Sequence, residues 1–275
     1  MMTSRIGTGL SGWLLPFVLS ATAGAVDVIV FLALGGLFTA HITGNVVILA
    51  AHYLTGRFSE VGPLLAVPVF VVVLGAVTLL SGAFERAGYE SRLAFLVLQA
   101  ALLAACLGLG VVRGPFADAN SPVAVLVGML AVAAMATQNA LTKLALPGVP
   151  STAVMTTNTT QLTIDLATLA RRRGEPEDLA RARSRAAVTS WSVVGFVAGC
   201  AGGAMLELRC GLGALALPVT LAALAVPLGE RWSDVGATAL LARAHPRGEV
   251  HGNVAPRRTS ASAVARRSHK RSVTD

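Results

Sequence analysis

Residues 41–53 read His41-Ile-Thr-Gly-Asn-Val-Val-Ile-Leu-Ala-Ala-His-Tyr53, an apolar run whose first turn carries histidine, threonine, glycine and asparagine. The run suits a membrane interior but is too short to cross it, because crossing takes about 20 helical residues. A second stretch, Thr152-Ala-Val-Met-Thr-Thr-Asn-Thr-Thr-Gln-Leu-Thr-Ile-Asp165, has the same character. We therefore interpret the rest of the chain as membrane helices arranged around two short, polar-headed segments.

The composition is that of an all-α polytopic membrane protein. Of the 275 residues, 54% are hydrophobic and 13% are charged, and the mean hydropathy is +0.69. A soluble domain carries about 25% charged residues. The short segments of alternating polarity that mark a membrane β-barrel are absent from the sequence.

Apolar runs predict six transmembrane helices, at about residues 12–34, 63–84, 93–112, 123–144, 188–206 and 212–228. We divide the chain into a cytoplasmic N-terminus (1–11), a single membrane domain (12–230) and a basic, disordered cytoplasmic tail (231–275). The tail holds nine Lys or Arg and three Asp or Glu, so it supplies +6 of the net charge of +8. A basic tail beside a membrane indicates contact with anionic lipid rather than with nucleic acid.

Arginine positions predict the orientation. The loop from Arg171 to Arg185 and the tail are both strongly basic, and basic loops stay in the cytoplasm. Arg5 places the N-terminus on the same side. Two topologies satisfy these anchors: six spans with the two polar-headed segments re-entrant or broken, or eight spans with both segments crossing. The weaker charges slightly favour six, with Arg86, Arg92 and Lys143 inside and Arg57 and Arg113 outside.

The sequence indicates a two-fold internal repeat, with halves at about 12–112 and 123–228. Thr39, Ala40, Thr43 and Asn45 align with Thr152, Ala153, Thr156 and Asn158, and Asp27 falls near Gln138-Asn139. Six spans make the halves inverted, whereas eight make them parallel. Inverted repeats with broken helices are a recurrent transporter architecture.

Polar residues in the apolar runs are the candidate site. A carboxylate deep in a membrane helix costs a few kcal/mol unless it is paired or hydrated. The functional interpretation is a polar substrate site between the halves; the alternative is interhelical hydrogen bonding that only holds the helices together. We expect the site to consist of Asp27, Thr43, Asn45, Gln138, Asn139, Thr156 and Asn158.

Other residues receive structural interpretations. Gly195, Gly199 and Gly203 form a four-spaced ridge for close helix packing. Asp165, near Arg171, is expected to form an ion pair close to the membrane surface. The three cysteines have no metal-ligand spacing and are read as packing residues. Because the pattern of the second segment lacks them, His41 and His52 carry little weight as metal ligands.

Catalytic and nucleotide-binding motifs are missing from the sequence. It contains no Walker-type phosphate loop, HExxH, GxSxG or dinucleotide fingerprint. We expect no enzymatic activity, no cofactor and no metal site.

One family resemblance can be read from particular residues. Ala23-Gly-Ala-Val-Asp27, Phe31-Leu-Ala-Leu-Gly-Gly-Leu-Phe38 and Thr43-Gly-Asn45 resemble the first signature of the YoaK-type family of bacterial integral membrane proteins, domain of unknown function 1275. Gln138-Asn-Ala140 and Met155-Thr-Thr-Asn-Thr-Thr160 resemble its second signature, with Thr157 where a glycine is usual. The resemblance covers about residues 12–228. It implies a multi-pass protein of the bacterial cytoplasmic (inner) membrane with about six helices, and it implies no activity.

Three functions remain open from the sequence. The leading hypothesis is a small transporter or permease for an unidentified solute or ion. The alternative is a non-transporting regulatory or assembly subunit, and a membrane-embedded enzyme comes third. The expected partners are the lipid bilayer and a small solute or ion but no nucleic acid, and a homo-oligomer is left open.

Overall fold

The computed structural model describes residues 11–55, 61–146, 148–172 and 174–244, with side chains for 12–232 of that set. This part of the chain forms α-helices and one 3-10 turn, and it contains no strand. The elements are α1 (Ser11–Ala33), α2 (Ile42–Leu54), α3 (Val61–Arg86), α4 (Ser91–Arg113), α5 (Pro122–Leu144), α6 (Met155–Arg171), α7 (Pro176–Cys210), the 3-10 turn (Gly211–Leu215) and α8 (Ala216–Ala244).

Local sequence explains where several helices begin and end. Gly35 and Gly36 follow α1 with φ of 67° and 85°, a left-handed conformation that favours glycine. The Ser121 side chain accepts a hydrogen bond from the amide of Ala124 at the start of α5. α7 starts at Pro176 and carries acidic residues in its first turn, which complement the helix dipole.

Five stretches of the described residues are long and apolar enough to cross a membrane: Gly12–Ala33, Val61–Arg86, Ser91–Arg113, Pro122–Leu144 and Pro176–Trp232. The last contains α7, the 3-10 turn and the first part of α8. α2 has only 13 residues, so it is about 20 Å long against a hydrocarbon thickness of about 30 Å. The chain has the helices of a multi-pass membrane protein, together with short helices that follow α1 and α5.

α1 is the central helix. It packs against α5, α7, α8 and the 3-10 turn, and 78% of its most apolar stretch is buried. The most apolar stretch of α3, in contrast, is only 17% buried. Its exposed apolar side chains include Val71, Val72 and Leu79. Exposed apolar surface of this kind suits contact with lipid, whereas the buried central helix must satisfy its polar groups inside the protein.

α1 and α7 approach each other closely through glycine. A Cβ on Gly195 would lie 2.5 Å from the carbonyl oxygen of Phe17, and one on Gly203 would lie 2.8 Å from Val28. A Cβ on Gly199 would clash with the backbone of Ala21. The four-spaced glycine ridge therefore lies at the α1–α7 contact inside the protomer.

The helices pack in a pattern that relates the two parts of the chain. The short helix α2 packs on α3, and the short helix α6 packs on α7. α1 packs on α7 and α8, while α5 packs on α3 and α4. Exchanging α1–α4 with α5–α8 leaves these pairings unchanged.

One helix continues into the segment that the sequence assigns to the tail. α8 extends to Ala244, past residue 231, the predicted start of the disordered tail. Helix-compatible residues of Arg231–Ala244 extend α8 although their hydropathy falls below that of a membrane run. The remainder of the expected tail, residues 245–275, and the N-terminal residues 1–10 lie outside the described residues.

The α1–α7 contact predicts a position-specific response to added methyl groups. Gly199→Ala should lower the thermal midpoint of the purified protein, since overpacking a tight contact costs about 1–3 kcal/mol. Gly75→Ala is the matched control, because nothing lies within 4 Å of a Cβ at Gly75. Thermal unfolding in detergent would measure both; equal midpoints for the two variants would contradict the close contact.

Candidate functional site

The carboxylate of Asp27 holds the loop that follows α1. Its Oδ1 accepts hydrogen bonds from the Thr39 amide at 2.7 Å, the Thr39 hydroxyl at 2.6 Å and the Ala40 amide at 2.8 Å. Asp27 is only 4% exposed. These three neutral donors supply part of the hydrogen bonding that a buried carboxylate loses with water.

The second carboxylate oxygen of Asp27, Oδ2, contacts the ring of His41, which is the residue immediately before α2. Since a carboxylate only accepts, the Nδ1 of His41 is the donor in this contact. The rings of Phe38 and Phe196 lie 5.9 and 5.6 Å from the imidazole. The side chain of His41 is 36% exposed, so the imidazole is only partly enclosed by these neighbours.

His41 lies between Ala33 and Val61, outside the candidate spans. The hydrogen bond to Asp27 raises the pKa of the imidazole, burial opposes that shift, and the charge of the carboxylate adds to it. The protonated ring is therefore favoured beside Asp27.

Asn45 fixes the same loop from the other side. Its Oδ1 accepts from the Phe38 amide at 3.0 Å and its Nδ2 donates to the Phe38 carbonyl at 2.8 Å. Within α2, which the structure describes in full, Asn45 alone is buried. Asp27 and Asn45 together bond the three amides of residues 38–40 and the carbonyl of Phe38. We call residues 35–41 with α2 the first break.

The second break, residues 145–154 with α6, is held by a neutral network. Gln138 is fully buried, and its Nε2 donates to the Thr152 hydroxyl at 2.7 Å and to the Leu19 carbonyl at 2.9 Å. The Nε2 of Gln99 donates to the Oε1 of Gln138 at 2.5 Å. No ionisable side chain takes part in these hydrogen bonds.

Asn158 takes the role in α6 that Asn45 has in α2. Its Nδ2 donates to the carbonyl of Ser151 at 2.6 Å. Both asparagines contact the residue seven positions earlier, and both occupy the same position counted from the first residue of their helix. An asparagine thus ties each short helix to the loop before it.

The structure distributes the expected site residues over separate groups. Asp27 and Asn45 lie at the first break, whereas Gln138 and Asn158 lie at the second. Asn139 donates to the carbonyl of Met135 in its own helix at 2.9 Å. Thr43 and Thr156 are exposed.

The two breaks lie at different depths along α1. Leu19, which contacts the second break, and Asp27, which contacts the first, are eight residues apart on α1, about 12 Å. No hydrogen bond among the described side chains joins the Asp27 group to the Gln138 group.

Sequence reasoning missed four contributors: Thr39, His41, Gln99 and Thr152. The two threonines carried a signal, because they align in the two segments and each lies three residues before the start of its short helix. His41 lost weight because the second segment has no counterpart. Gln99 gave no local signal, since its partner is 39 positions away.

Asp165 and Arg185 join α6 to α7. Asp165 is 1% exposed and accepts from Arg185 Nη2 at 2.6 Å and from Gln161 at 3.1 Å. The sequence predicts an ion pair near Arg171 at the membrane surface; the partner in the structure is Arg185, on the next helix. This pair belongs to the α6–α7 contact and not to either loop.

An open cleft of about 510 Å³ lies at the ends of α1, α4 and α7, around the 3-10 turn. Its lining includes Ala33, Phe116, Glu207 and Cys210. None of the expected site residues lines it. Among the described residues, no three His, Cys, Asp or Glu side chains are grouped to hold a metal ion.

The His41–Asp27 contact predicts a pH-dependent contribution to stability. Because the pKa of His41 is raised in the folded protein, the contribution is fully present below about pH 6.5 and is lost as the pH rises through the folded value. The thermal midpoint of the wild type should exceed that of His41→Gln most at acidic pH. A difference that grows with rising pH would contradict this assignment.

The comparisons with known proteins place the chain in a family. The model of a family described as protein of unknown function, DUF1275, matches residues 15–228. No curated protein and no solved structure gives a significant match. The matched range includes both breaks and every side chain that holds them. The chain belongs to the DUF1275 family.

Proposed function

We propose that the protein is a transporter or permease for a small solute or ion, built from two related halves. Each half consists of a long helix, a break with a short helix, and two further long helices. The observation that favours this most directly is that side chains at matching positions hydrogen-bond to the loops of both breaks. Broken helices at matching positions of two halves are the feature by which transporters place a binding site inside the membrane.

The side chains that hold the two breaks also occupy matching positions within their helices. Asp27 and Gln138 occupy the same position counted from Ser11 and Pro122, the first residues of α1 and α5. Each contacts a threonine in the following loop, Thr39 or Thr152. Together with the paired asparagines and the exchangeable helix pairings, this favours an internal repeat.

The lengths of the helices favour six crossings and therefore inverted halves. α2 is too short to cross, and α6 is a 17-residue helix that is rich in threonine and buries an asparagine and an aspartate. The stretch Pro176–Trp232 has 57 residues, about 86 Å as one helix, which is enough for two crossings. Three crossings in each half reverse the orientation of the second.

A non-transporting membrane subunit is the second candidate, and one observation favours it. Asp27, Asn45, Gln138 and Asn158 all hydrogen-bond to other groups of the protein, and the cleft lies elsewhere. Such residues can serve purely to stabilise the breaks. A flux measurement separates the two candidates.

Transport predicts selective uptake by proteoliposomes. Purified protein in liposomes would be incubated with a bacterial metabolite and salt extract, and the contents compared with protein-free liposomes by mass spectrometry and elemental analysis. At least one solute or ion should enrich. A profile identical to that of the empty liposomes, for a folded protein, would contradict transport and support the second candidate.

Substitution at the first break sharpens that test. Asp27→Asn keeps the shape of the side chain but removes its charge, so we expect retained insertion and a loss of flux of about tenfold or more. Asp118→Asn is the control, because Asp118 is exposed in the loop before α5. Undiminished flux in Asp27→Asn would exclude a transport role for the carboxylate.

Six crossings predict opposite labelling of two arginine positions. In a background with Cys106, Cys200 and Cys210 replaced by serine, a membrane-impermeant maleimide should label Arg113→Cys in intact cells. Arg86→Cys should react only after permeabilisation. Labelling of Arg86→Cys in intact cells would refute the six-span topology.

A further inference from the structure

We propose that the pair Asp27–His41 binds one exchangeable proton and couples proton movement to the solute movement proposed above. The inference rests on the proposed function and assigns the proton to the first break alone. It begins from an asymmetry. The two breaks are supported at matching positions, but among the described residues only the first loop is held by hydrogen bonds to an ionisable side chain.

The chemistry of the pair allows a change of one charge. With both imidazole nitrogens protonated, the pair of imidazolium and carboxylate is neutral overall. Loss of the proton from Nε2 of His41 to water leaves a neutral ring, which keeps the Nδ1 proton that it donates to Asp27. The pair then carries one negative charge on the Asp27 carboxylate.

The surroundings of the pair stabilise both states. In the neutral state, the imidazolium offsets the charge of a carboxylate that is buried beside apolar helices. In the anionic state, Oδ1 retains the donors from Thr39 and Ala40. We assign the exchange to His41, because its side chain is 36% exposed whereas that of Asp27 is 5% exposed.

On α7, the thiol of Cys200 interacts with the charge of Asp27, whereas Glu207, Arg209 and Cys210 lie in the last turn of the helix. Cys200 contacts the carbonyl of Gly24, one turn from Asp27, and Glu207 lies further along the helix beside the cleft. A cysteine thiol ordinarily titrates near a pKa of about 8.5, whereas an imidazole does so near about 6.5. Of these two groups, His41 has the lower ordinary pKa, so we assign the exchangeable proton to its imidazole.

The other elements around the pair have few charged residues, and these lie away from the pair. α1 has no charged residue besides Asp27, and the 3-10 turn and α8 have none between 211 and 229. α5 carries only Lys143, near its end, and α3 carries Glu85 and Arg86 in its last turn. On α2 itself, His52 lies three turns from His41. The charge of the pair is thus set mainly by its own two side chains.

The hydrogen bonds that hold the loop of the second break include no such pair among the described residues. Gln138, Gln99 and Thr152 exchange no proton in the physiological range, and all three are fully buried. Its neutral network therefore acts as a fixed support. The charge of the first break changes with proton binding, and this makes it the half of the molecule that responds to a proton gradient.

Histidine titration in lipid nanodiscs tests proton binding without any need for a solute. The full chain labelled with ¹⁵N in its five histidines would be titrated by NMR, and the His41 signal identified by its loss in His41→Gln. We expect the titration midpoint of His41 to fall by about one unit or more in Asp27→Asn. Asp165→Asn, which alters another buried carboxylate, should leave it unchanged. A midpoint that is the same in Asp27→Asn overturns the proposal.

Coupling is tested in proteoliposomes that contain a pH-sensitive dye. Addition of the metabolite and salt extract should change the luminal pH with wild-type protein and with Asp165→Asn, and the change should be lost with His41→Gln and with Asp27→Asn. Solute uptake without any change in luminal pH overturns the coupling while the transport function stands. Absence of all uptake instead refutes the transport function, and with it the coupling.

Discussion

The structure depends on hydrogen bonds to the backbone amides and carbonyls at the points where a helix ends inside an apolar protein. Hydrocarbon offers no hydrogen bonds, so each amide and carbonyl of such a loop needs a partner from the protein. The carboxylate of Asp27 provides three acceptor contacts to Thr39 and Ala40, and Asn45 pairs with both backbone groups of Phe38. Without these side chains, the first break would expose unsatisfied polar groups at a cost of several kcal/mol each.

Close helix packing makes this arrangement possible. Asp27 is buried because α1 is enclosed by α5, α7 and α8, and α7 reaches α1 only because glycines remove the side chains from the contact. The burial that strengthens the hydrogen bonds of Asp27 also raises the cost of its charge. His41 offsets that charge at the open edge of the site. Close packing, the loop geometry and the ionisable pair therefore depend on one another around a carboxylate on the central helix.

The sequence predicted the helical class and the approximate positions of the long helices, because apolar runs are local signals. It also singled out Asp27, Asn45, Gln138 and Asn158 as polar interruptions, and the structure shows each of them in hydrogen bonds. The sequence failed where the signal is not local. Gln99 supports a break from another helix, and Arg185 rather than a residue near Arg171 pairs with Asp165. His41 was discounted by comparison of the two segments, although the structure places its ring against the carboxylate of Asp27.

The most direct test of the account is the distance between Asp27 and the loop in a lipid bilayer. Solid-state NMR can measure the dipolar coupling between the side-chain carboxyl carbon of Asp27 and the amide nitrogens of Thr39 and Ala40. The account predicts strong couplings to both, in keeping with N–O distances of 2.7 and 2.8 Å. Absence of both couplings, with the Asn45–Phe38 contact still detected as an internal control, would contradict it.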